Sequence, residues 1–105
     1  MADHEAAIKK YAPKADQQAV AGLLKTYRLV LSKADSAVVA LSDAAERETV
    51  KANFLKKKLG LTDDAVMEKA LDEVNATMKG DRAKSRAAVY YLLAEKFNKV
   101  DVFKK

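Results

Sequence analysis

The stretch from residue 82 to 99 constrains the fold most, because a helix formed there would be apolar around most of its circumference. Such a helix needs cover on nearly every side, so we predict a central C-terminal helix, capped by Asp81 and preceded by a stop at Gly80. Because Tyr90 and Tyr91 are adjacent, one should face inward and the other should place its hydroxyl near water. The apolar residues follow the spacing i, i+1, i+4 and i+8, with others at the sides: Val89, Tyr90, Leu93 and Phe97, then Tyr91, Leu92 and Ala94.

Composition favours a helical fold in one domain. Of the 105 residues, 50% are hydrophobic and 33% are charged, whereas three are glycine and one is proline. β-Branched residues are scattered and do not form the alternating runs that are typical of strands. The sequence therefore predicts an all-α fold, a compact single-domain bundle over residues 1–105. It would contain four main helices plus a short N-terminal helix, arranged around the central C-terminal helix.

Two helices are predicted in the first half of the chain. Residues 3–11 can form a short helix that ends before Pro13, and we expect this helix to be loosely held. Asp16 can cap a longer helix that runs to about Ser32. Gly22 costs this helix about 1 kcal/mol of propensity, and either close approach of a neighbouring helix or simple tolerance would explain it. The apolar face of the longer helix is regularly spaced: Val20, Leu23, Leu24, Tyr27 and Leu31.

A connector and two further helices are predicted before the central one. In the connector, residues 32–42, the apolar patch 38–41 would form one or two helical turns. Asp43 can cap the next helix, which runs to Leu59 and stops at Gly60 in a left-handed conformation.

The second of these helices is predicted to begin at Thr62, as its cap, and to end at Gly80. Asp63 and Asp64 would occupy its electropositive first turn. Its apolar stripe is as regular as any in the chain: Val66, Met67, Ala70, Leu71, Val74 and Met78.

The residue types exclude most catalytic and metal chemistry. The chain has no cysteine, which excludes disulfides, thiolate catalysis and cysteine-based metal sites. His4 is the one histidine, and near a terminus we expect it to be exposed. The adjacent carboxylates Asp63 and Asp64 would point about 100° apart on a helix, so they do not converge on one atom. We expect no enzyme activity and predict no catalytic, cofactor-binding or metal-binding residue.

Two basic clusters are the candidate binding residues. The net charge is +5, and residues 53–105 hold 12 basic and 8 acidic side chains, against 8 and 7 in residues 1–52. One cluster, Lys56 with Lys57 and Lys58, lies at a predicted helix C-terminus, where cations also complement the helix dipole. The other surrounds the Gly80 turn, where an anion or nucleic-acid phosphate could bind: Lys79, Arg82, Lys84 and Arg86.

Three motifs carry a resemblance to a known family. They are Phe54-Leu-Lys-Lys-Lys-Leu-Gly-Leu61, Met78-Lys-Gly-Asp-Arg-Ala-Lys-Ser-Arg86 and Tyr90-Tyr-Leu-Leu-Ala-Glu-Lys-Phe97. With them the chain resembles a small bacterial family of proteins of unknown function and of about this length, in which tryptophan is usual at the position of Phe54. The resemblance implies a compact bacterial domain, and it supplies no activity and no functional residue.

Two functional hypotheses follow. The first is a non-enzymatic helical binding module whose partner is a protein or an anionic polymer. The alternative is a non-specific nucleic-acid-associated protein that uses the basic second half. No apolar run approaches the length of about 20 residues that spans a bilayer, and the first residues are acidic where a signal peptide is basic. We therefore expect a cytoplasmic protein that binds no membrane and no metal.

Overall fold

Helices dominate the structure, a computed structural model that describes residues 4–33, 38–39, 41, 43–80 and 84–103. The Cα atoms have a radius of gyration of 12.4 Å, as expected for a compact chain of this length. The elements in chain order are α1 (His4–Tyr11), α2 (Gln17–Thr26), α3 (Arg28–Leu31), β1 (Val38–Val39), α4 (Ala44–Val50) with its π-helical continuation (Lys51–Lys56), α5 (Asp64–Thr77), β2 (Lys84–Ser85), α6 (Arg86–Lys96) and a 3-10 helix (Val100–Phe103).

Helix α6 has no solvent-facing side over most of its length. All nine residues from Arg86 to Ala94 are buried, and α1, α2 and α5 each pack against this helix. The predicted cover on every side of the C-terminal helix is therefore confirmed. Phe97 lies beyond the buried stretch and is only partly buried.

The start of α6 differs from the predicted one. The helix begins at Arg86, because Ser85 is its N-cap and accepts the backbone N–H of Ala88 at 3.5 Å. The predicted cap, Asp81, precedes this helix by several residues and lies outside the described residues. Ser85 has extended backbone angles, φ −61° and ψ 126°, which exclude it from the helix.

A small antiparallel sheet explains this extended backbone. Val38 lies opposite Ser85 and Val39 lies opposite Lys84, so the connector pairs with the residues that lead into α6. The prediction of one or two helical turns in the connector was therefore wrong at Val38 and Val39, and residues 34–37, 40 and 42 of the connector lie outside the described residues. Consecutive β-branched residues favour extended backbone, and burial of Val39 and Leu41 holds the connector against the core.

The end of α6 is a Schellman motif. Asn98 has a φ of 55°, and the N–H groups of Asn98 and Lys99 donate to the carbonyls of Glu95 and Ala94 at 3.1 and 2.8 Å. Asparagine tolerates this left-handed conformation better than most residues with a side chain. The helix consequently ends at Lys96 rather than at residue 99.

In the first half, α1 is better anchored than predicted. Ile8 is fully buried and α1 packs against α6, so the expectation of a loosely held helix was wrong. The Asp16 cap is confirmed, since its side chain accepts two N–H groups of the first turn of α2, and its own N–H donates to the hydroxyl of Tyr91 at 3.0 Å. The predicted long helix is interrupted at Tyr27, where α2 gives way to α3.

Around α4 and α5, the predicted cap of α4 and the predicted left-handed glycine before α5 are confirmed. The side chain of Asp43 caps α4, and Gly60 has a φ of 72°. The cap of α5 is Asp63 and not Thr62, because the Asp63 carboxylate accepts the N–H groups of two residues in the first turn. Val66 was wrongly placed in the core and is 44% exposed. The rest of the stripe is buried: Met67, Ala70, Leu71, Val74 and Met78.

Aromatic rings fill the space between α2, the π-helix and α6. Phe54 stacks on Tyr90 with ring centroids 4.1 Å apart, and Tyr27 meets Tyr90 edge-on at 5.0 Å. Phe103 lies 6.0 Å from Phe54, which brings the C-terminal 3-10 helix into the same cluster. Tyr90 and Tyr91 are both buried, so the prediction that one of them would lie near water was wrong.

Gly22 allows the C-terminal 3-10 helix to approach α2. A Cβ atom added at Gly22 would lie 1.5 Å from the carbonyl oxygen of Phe103 and 2.6 Å from its carbonyl carbon. Both atoms belong to the backbone, so no rotamer change could relieve the overlap. Of the two explanations for this glycine, close approach is the one that the structure supports, although the neighbour is a 3-10 helix.

Replacement of Gly22 by Ala should therefore destabilise the protein. Helix propensity alone would stabilise α2 by about 1 kcal/mol, whereas displacement of the Phe103 backbone should cost roughly 1–3 kcal/mol. Denaturant unfolding measures whether Gly22→Ala lowers or raises the free energy of unfolding. Gly80→Ala is the matched control, because nothing lies within 4 Å of an added Cβ there, and it should change stability by at most about 1 kcal/mol. A more stable Gly22→Ala variant would contradict the close approach.

A second expectation concerns α6 itself. Leu93 is fully buried, so Leu93→Ala should lower the free energy of unfolding by about 2–5 kcal/mol, because the truncation removes apolar packing and leaves a cavity. Leu29→Ala serves as the control, because Leu29 is 76% exposed and its truncation should cost less than about 0.5 kcal/mol. Urea titration of both variants checks this. A change below about 1 kcal/mol for Leu93→Ala would contradict the central role of α6.

Candidate anion-binding surfaces

The basic cluster predicted around the Gly80 turn does not form one exposed group. Lys79 is exposed, Lys84 is half-buried in β2 and Arg86 is buried, with 8% exposed. Arg82 lies outside the described residues. The structure therefore leaves Lys79 as the one described member of this cluster that is fully at the surface.

Arg86 contacts the aromatic rings between α2, the π-helix and α6 through Tyr90. Its guanidinium donates to the hydroxyl of Tyr90 at 2.8 Å and lies 5.6 Å from the centroid of the Tyr90 ring, within cation–π range. Burial raises the pKa of Tyr27 to about 12, with a further rise from Tyr90, while Arg86 opposes the shift. This environment argues against a direct phosphate contact by Arg86.

The second predicted cluster, hereafter the lysine segment (Lys56, Lys57 and Lys58), is at the surface. Lys56 and Lys57 are exposed and Lys58 is half-buried, where the π-helix ends. Within the described ranges, no carboxylate lies within ion-pair distance of these three ammonium groups.

A helix of 14 residues separates the two basic clusters along the chain. The lysine segment precedes α5, and Lys79 follows that helix. Helix α5 has 14 residues, which makes it about 20 Å long at a rise of about 1.5 Å per residue. Along the chain, the two clusters therefore flank α5.

A buried lysine that sequence reasoning missed joins α4 and α5. Lys51 is 3% exposed, and its ammonium group lies 2.9 Å from carboxylate oxygens of Glu48 and Asp64 and 3.2 Å from one of Glu68. The carboxylates themselves reach solvent. The i, i+3 spacing of Glu48 and Lys51 was a weak sequence signal for one of these pairs.

Arg47 extends this network along α5. Its guanidinium lies 2.6 Å from Asp72 and 3.4 Å from Glu68, and it also donates to the backbone carbonyls of Leu41 and Glu68, each at 3.2 Å. The acidic face of α5, which consists of Asp64, Glu68 and Asp72, is consequently paired with two cations of the preceding helical segment.

Hydrogen bonds in this network shift two pKa values in opposite directions. Those to Glu48 and Asp64 raise the pKa of Lys51 above its ordinary value, and the bond from Lys51 lowers the pKa of Asp64 below its ordinary value. Both shifts favour the charged forms. The network therefore holds its charge at neutral pH and serves as a structural ion-pair cluster.

His4 lies in a different environment from the one expected. It is half-buried, and its Nε2 atom forms a hydrogen bond with the carbonyl oxygen of Leu31 at 3.2 Å, which links α1 to α3. The other nitrogen, Nδ1, is buried and has no hydrogen-bond partner in the described part of the chain. Among the described residues, no group of three or more histidines and carboxylates is arranged to hold a metal ion.

The lowered pKa of Asp64 gives a pH-dependent expectation. Asp64→Asn should be less stable than the wild type at neutral pH, because the ion pair with Lys51 is removed. This difference should shrink as the pH falls below the ordinary value of 3.8 and through the lower folded-state pKa, where Asp64 itself becomes protonated. Urea unfolding of the wild type and of Asp64→Asn, at several pH values from neutral to acidic, measures this difference in stability.

The matched control is Glu95→Gln, which removes an exposed carboxylate that has no ion pair in the described ranges. Its effect on the free energy of unfolding at neutral pH should be smaller than that of Asp64→Asn. A constant difference between Asp64→Asn and the wild type across the acidic range would contradict the role of the ion pair.

Comparison with known proteins gives a family and no activity. The sequence model of a family described as "Protein of unknown function (DUF2853)" matches residues 3–101. No curated protein matches the chain. In the part of the chain that the structure describes, no helix combines the length and apolar character needed to cross a bilayer.

Proposed function

The chain belongs to the DUF2853 family of proteins of unknown function, and we propose that it is a non-enzymatic helical binding module for an anionic partner. The surface that we assign to this partner is the lysine segment. The expectation of a cytoplasmic, bacterial protein stays a prediction.

The observation that carries the proposal is the unequal pairing of charges around the lysine segment. Glu48, Asp64 and Glu68 are engaged by the buried Lys51, and Asp63 caps α5. The carboxylates closest to the lysine segment in the chain are thus engaged in the fold's own interactions. Three adjacent cations remain without ion pairs within the described ranges, although Lys56 acts on Asp64 at longer range, and such a cluster of cations suits an external anion.

The helix dipole offers a competing explanation for the same lysines. Cations in the last turn of a helix contribute about 0.3–1 kcal/mol of stability each at low ionic strength. A role in stability alone predicts that neutralisation weakens the fold and leaves binding unchanged. A binding role predicts that neutralisation weakens binding and changes the stability of the fold little. Experiments that measure both quantities therefore separate the two explanations.

The nucleic-acid hypothesis stays an alternative. Exposed lysines neutralise phosphates without reading base sequence, and Arg86, the described arginine of the cluster around the Gly80 turn, is buried. The exposed cations therefore do not favour nucleic acid over an acidic protein as the partner.

The test uses two polyanions, random-sequence duplex DNA and polyglutamate, in fluorescence-anisotropy titrations at about 50 mM and about 200 mM salt. A variant with Lys56, Lys57 and Lys58 all changed to Gln should bind more weakly than the wild type. If duplex DNA binds, the slope of log K against log salt should flatten by about 0.9 for each phosphate that the variant no longer neutralises.

A triple variant with equal net charge is the control. Lys14, Lys69 and Lys99 lie outside both predicted clusters, and their replacement by Gln should weaken binding much less. Binding to DNA but not to polyglutamate would favour the nucleic-acid hypothesis. Failure of both polyanions to bind at the lower salt, or equal weakening in the two triple variants, would overturn the proposal.

A further inference from the structure

A basic surface with an exposed leucine lies on the outer side of α2 and α3. Its residues follow the spacing i, i+3, i+4 and i+8 through the last turn of α2, α3 and the turn after α3. Tyr27 interrupts the helix, but the N–H groups of Tyr27 and Leu31 still donate to the carbonyls of Leu23 and Tyr27 across the break, so α3 follows α2 without a loop. We call this surface the α3 face, and it consists of Lys25, Arg28, Leu29 and Lys33.

The charge of the α3 face is uncompensated along the chain. No acidic residue occurs between Asp16 and Asp35 in the sequence. Lys25, Arg28 and Lys33 are all exposed, and none of them makes an ion pair within the described ranges. Three exposed cations of this segment thus have no carboxylate within ion-pair distance in the described ranges.

Leu29 lies among these cations and is 76% exposed. A single exposed leucine is ordinary on a protein surface. Leu29 follows Arg28 directly and lies four residues from both Lys25 and Lys33, so cations precede and follow it in the chain, while the next residue, Val30, is 37% exposed. The inner side of the same segment is already packed, as Leu23 and Leu31 are buried, so the fold does not need Leu29.

We infer that the α3 face binds an acidic protein segment that carries an apolar side chain between its carboxylates. The cations would pair with the carboxylates, and Leu29 would pack against the apolar side chain. Such pairing of charge with a central apolar contact is the usual arrangement of a specific protein interface. This inference is independent of the lysine segment, which lies on other elements.

Two other anionic partners match this face less well. Nucleic acid offers phosphates to the cations but presents no apolar side chain to Leu29, and the face has no aromatic ring on which a base could stack. An anionic membrane would attract the cations, but α3 has four residues. Interfacial helices need a broad apolar face.

The probe is a displayed library of short helical peptides with glutamates that flank variable positions. Selection against the wild-type protein, with Leu29→Gln as the counter-selection, should enrich peptides with an apolar residue between the glutamates. Titration of an enriched peptide should then show binding that weakens about tenfold or more in Leu29→Gln and in Arg28→Gln.

Two variants on α5 are matched controls. Val66→Gln removes another exposed apolar side chain, and Lys69→Gln removes another exposed cation. Each should leave the dissociation constant within about twofold of the wild-type value. Circular dichroism and thermal unfolding should show that all four variants fold. The triple Gln variant of the lysine segment should bind the peptide normally, which separates this inference from the proposed function.

Three results would overturn the inference. The first is that no peptide is enriched over the counter-selection. The second is equal binding of the selected peptide by Leu29→Gln and the wild type. The third is that random duplex DNA, or phosphatidylcholine vesicles that contain phosphatidylserine, bind the wild type and lose binding in Arg28→Gln but not in Leu29→Gln, which would assign the cations to phosphate.

Discussion

Burial of α6 on all sides is the constraint on which the rest of the structure depends. Nine consecutive residues of this helix are buried, and an α-helix turns by about 100° per residue, so its whole circumference must be covered. Helices α1, α2 and α5, together with β1 and the C-terminal 3-10 helix, provide that cover. A chain of 105 residues has few elements to spare, which explains why even short segments such as α1 and the 3-10 helix are packed into the core.

The burial of α6 also requires partners for the polar groups that this helix carries. Arg86 and Tyr91 are on the buried helix, and each has a specific partner: Arg86 donates to Tyr90, and Tyr91 accepts from the backbone of Asp16. Buried polar groups are costly unless they are paired. Arg86, which the sequence suggested for anion binding, therefore donates a hydrogen bond to a buried hydroxyl group in the interior.

A similar use of charge between α4 and α5 shapes the surface. Lys51 and Arg47 take up the carboxylates of the acidic face of α5, so acids that would otherwise neutralise the surface are engaged in the fold. The lysine segment, in contrast, makes no ion pair within the described ranges.

The sequence by itself determined the helical class, the main apolar stripes and some helix ends, because these depend on contacts between residues close in the chain. The caps at Asp16 and Asp43 and the left-handed Gly60 are examples. Tertiary structure alone decided the pairing of Val38 and Val39 with β2, since strand pairing joins residues that are far apart in sequence.

For the candidate sites, the sequence named the exposed lysine segment correctly as a basic cluster, but it could not separate buried from exposed cations. Whether Lys51 and Arg86 face solvent depends on the elements that pack over them, and no local pattern records that packing.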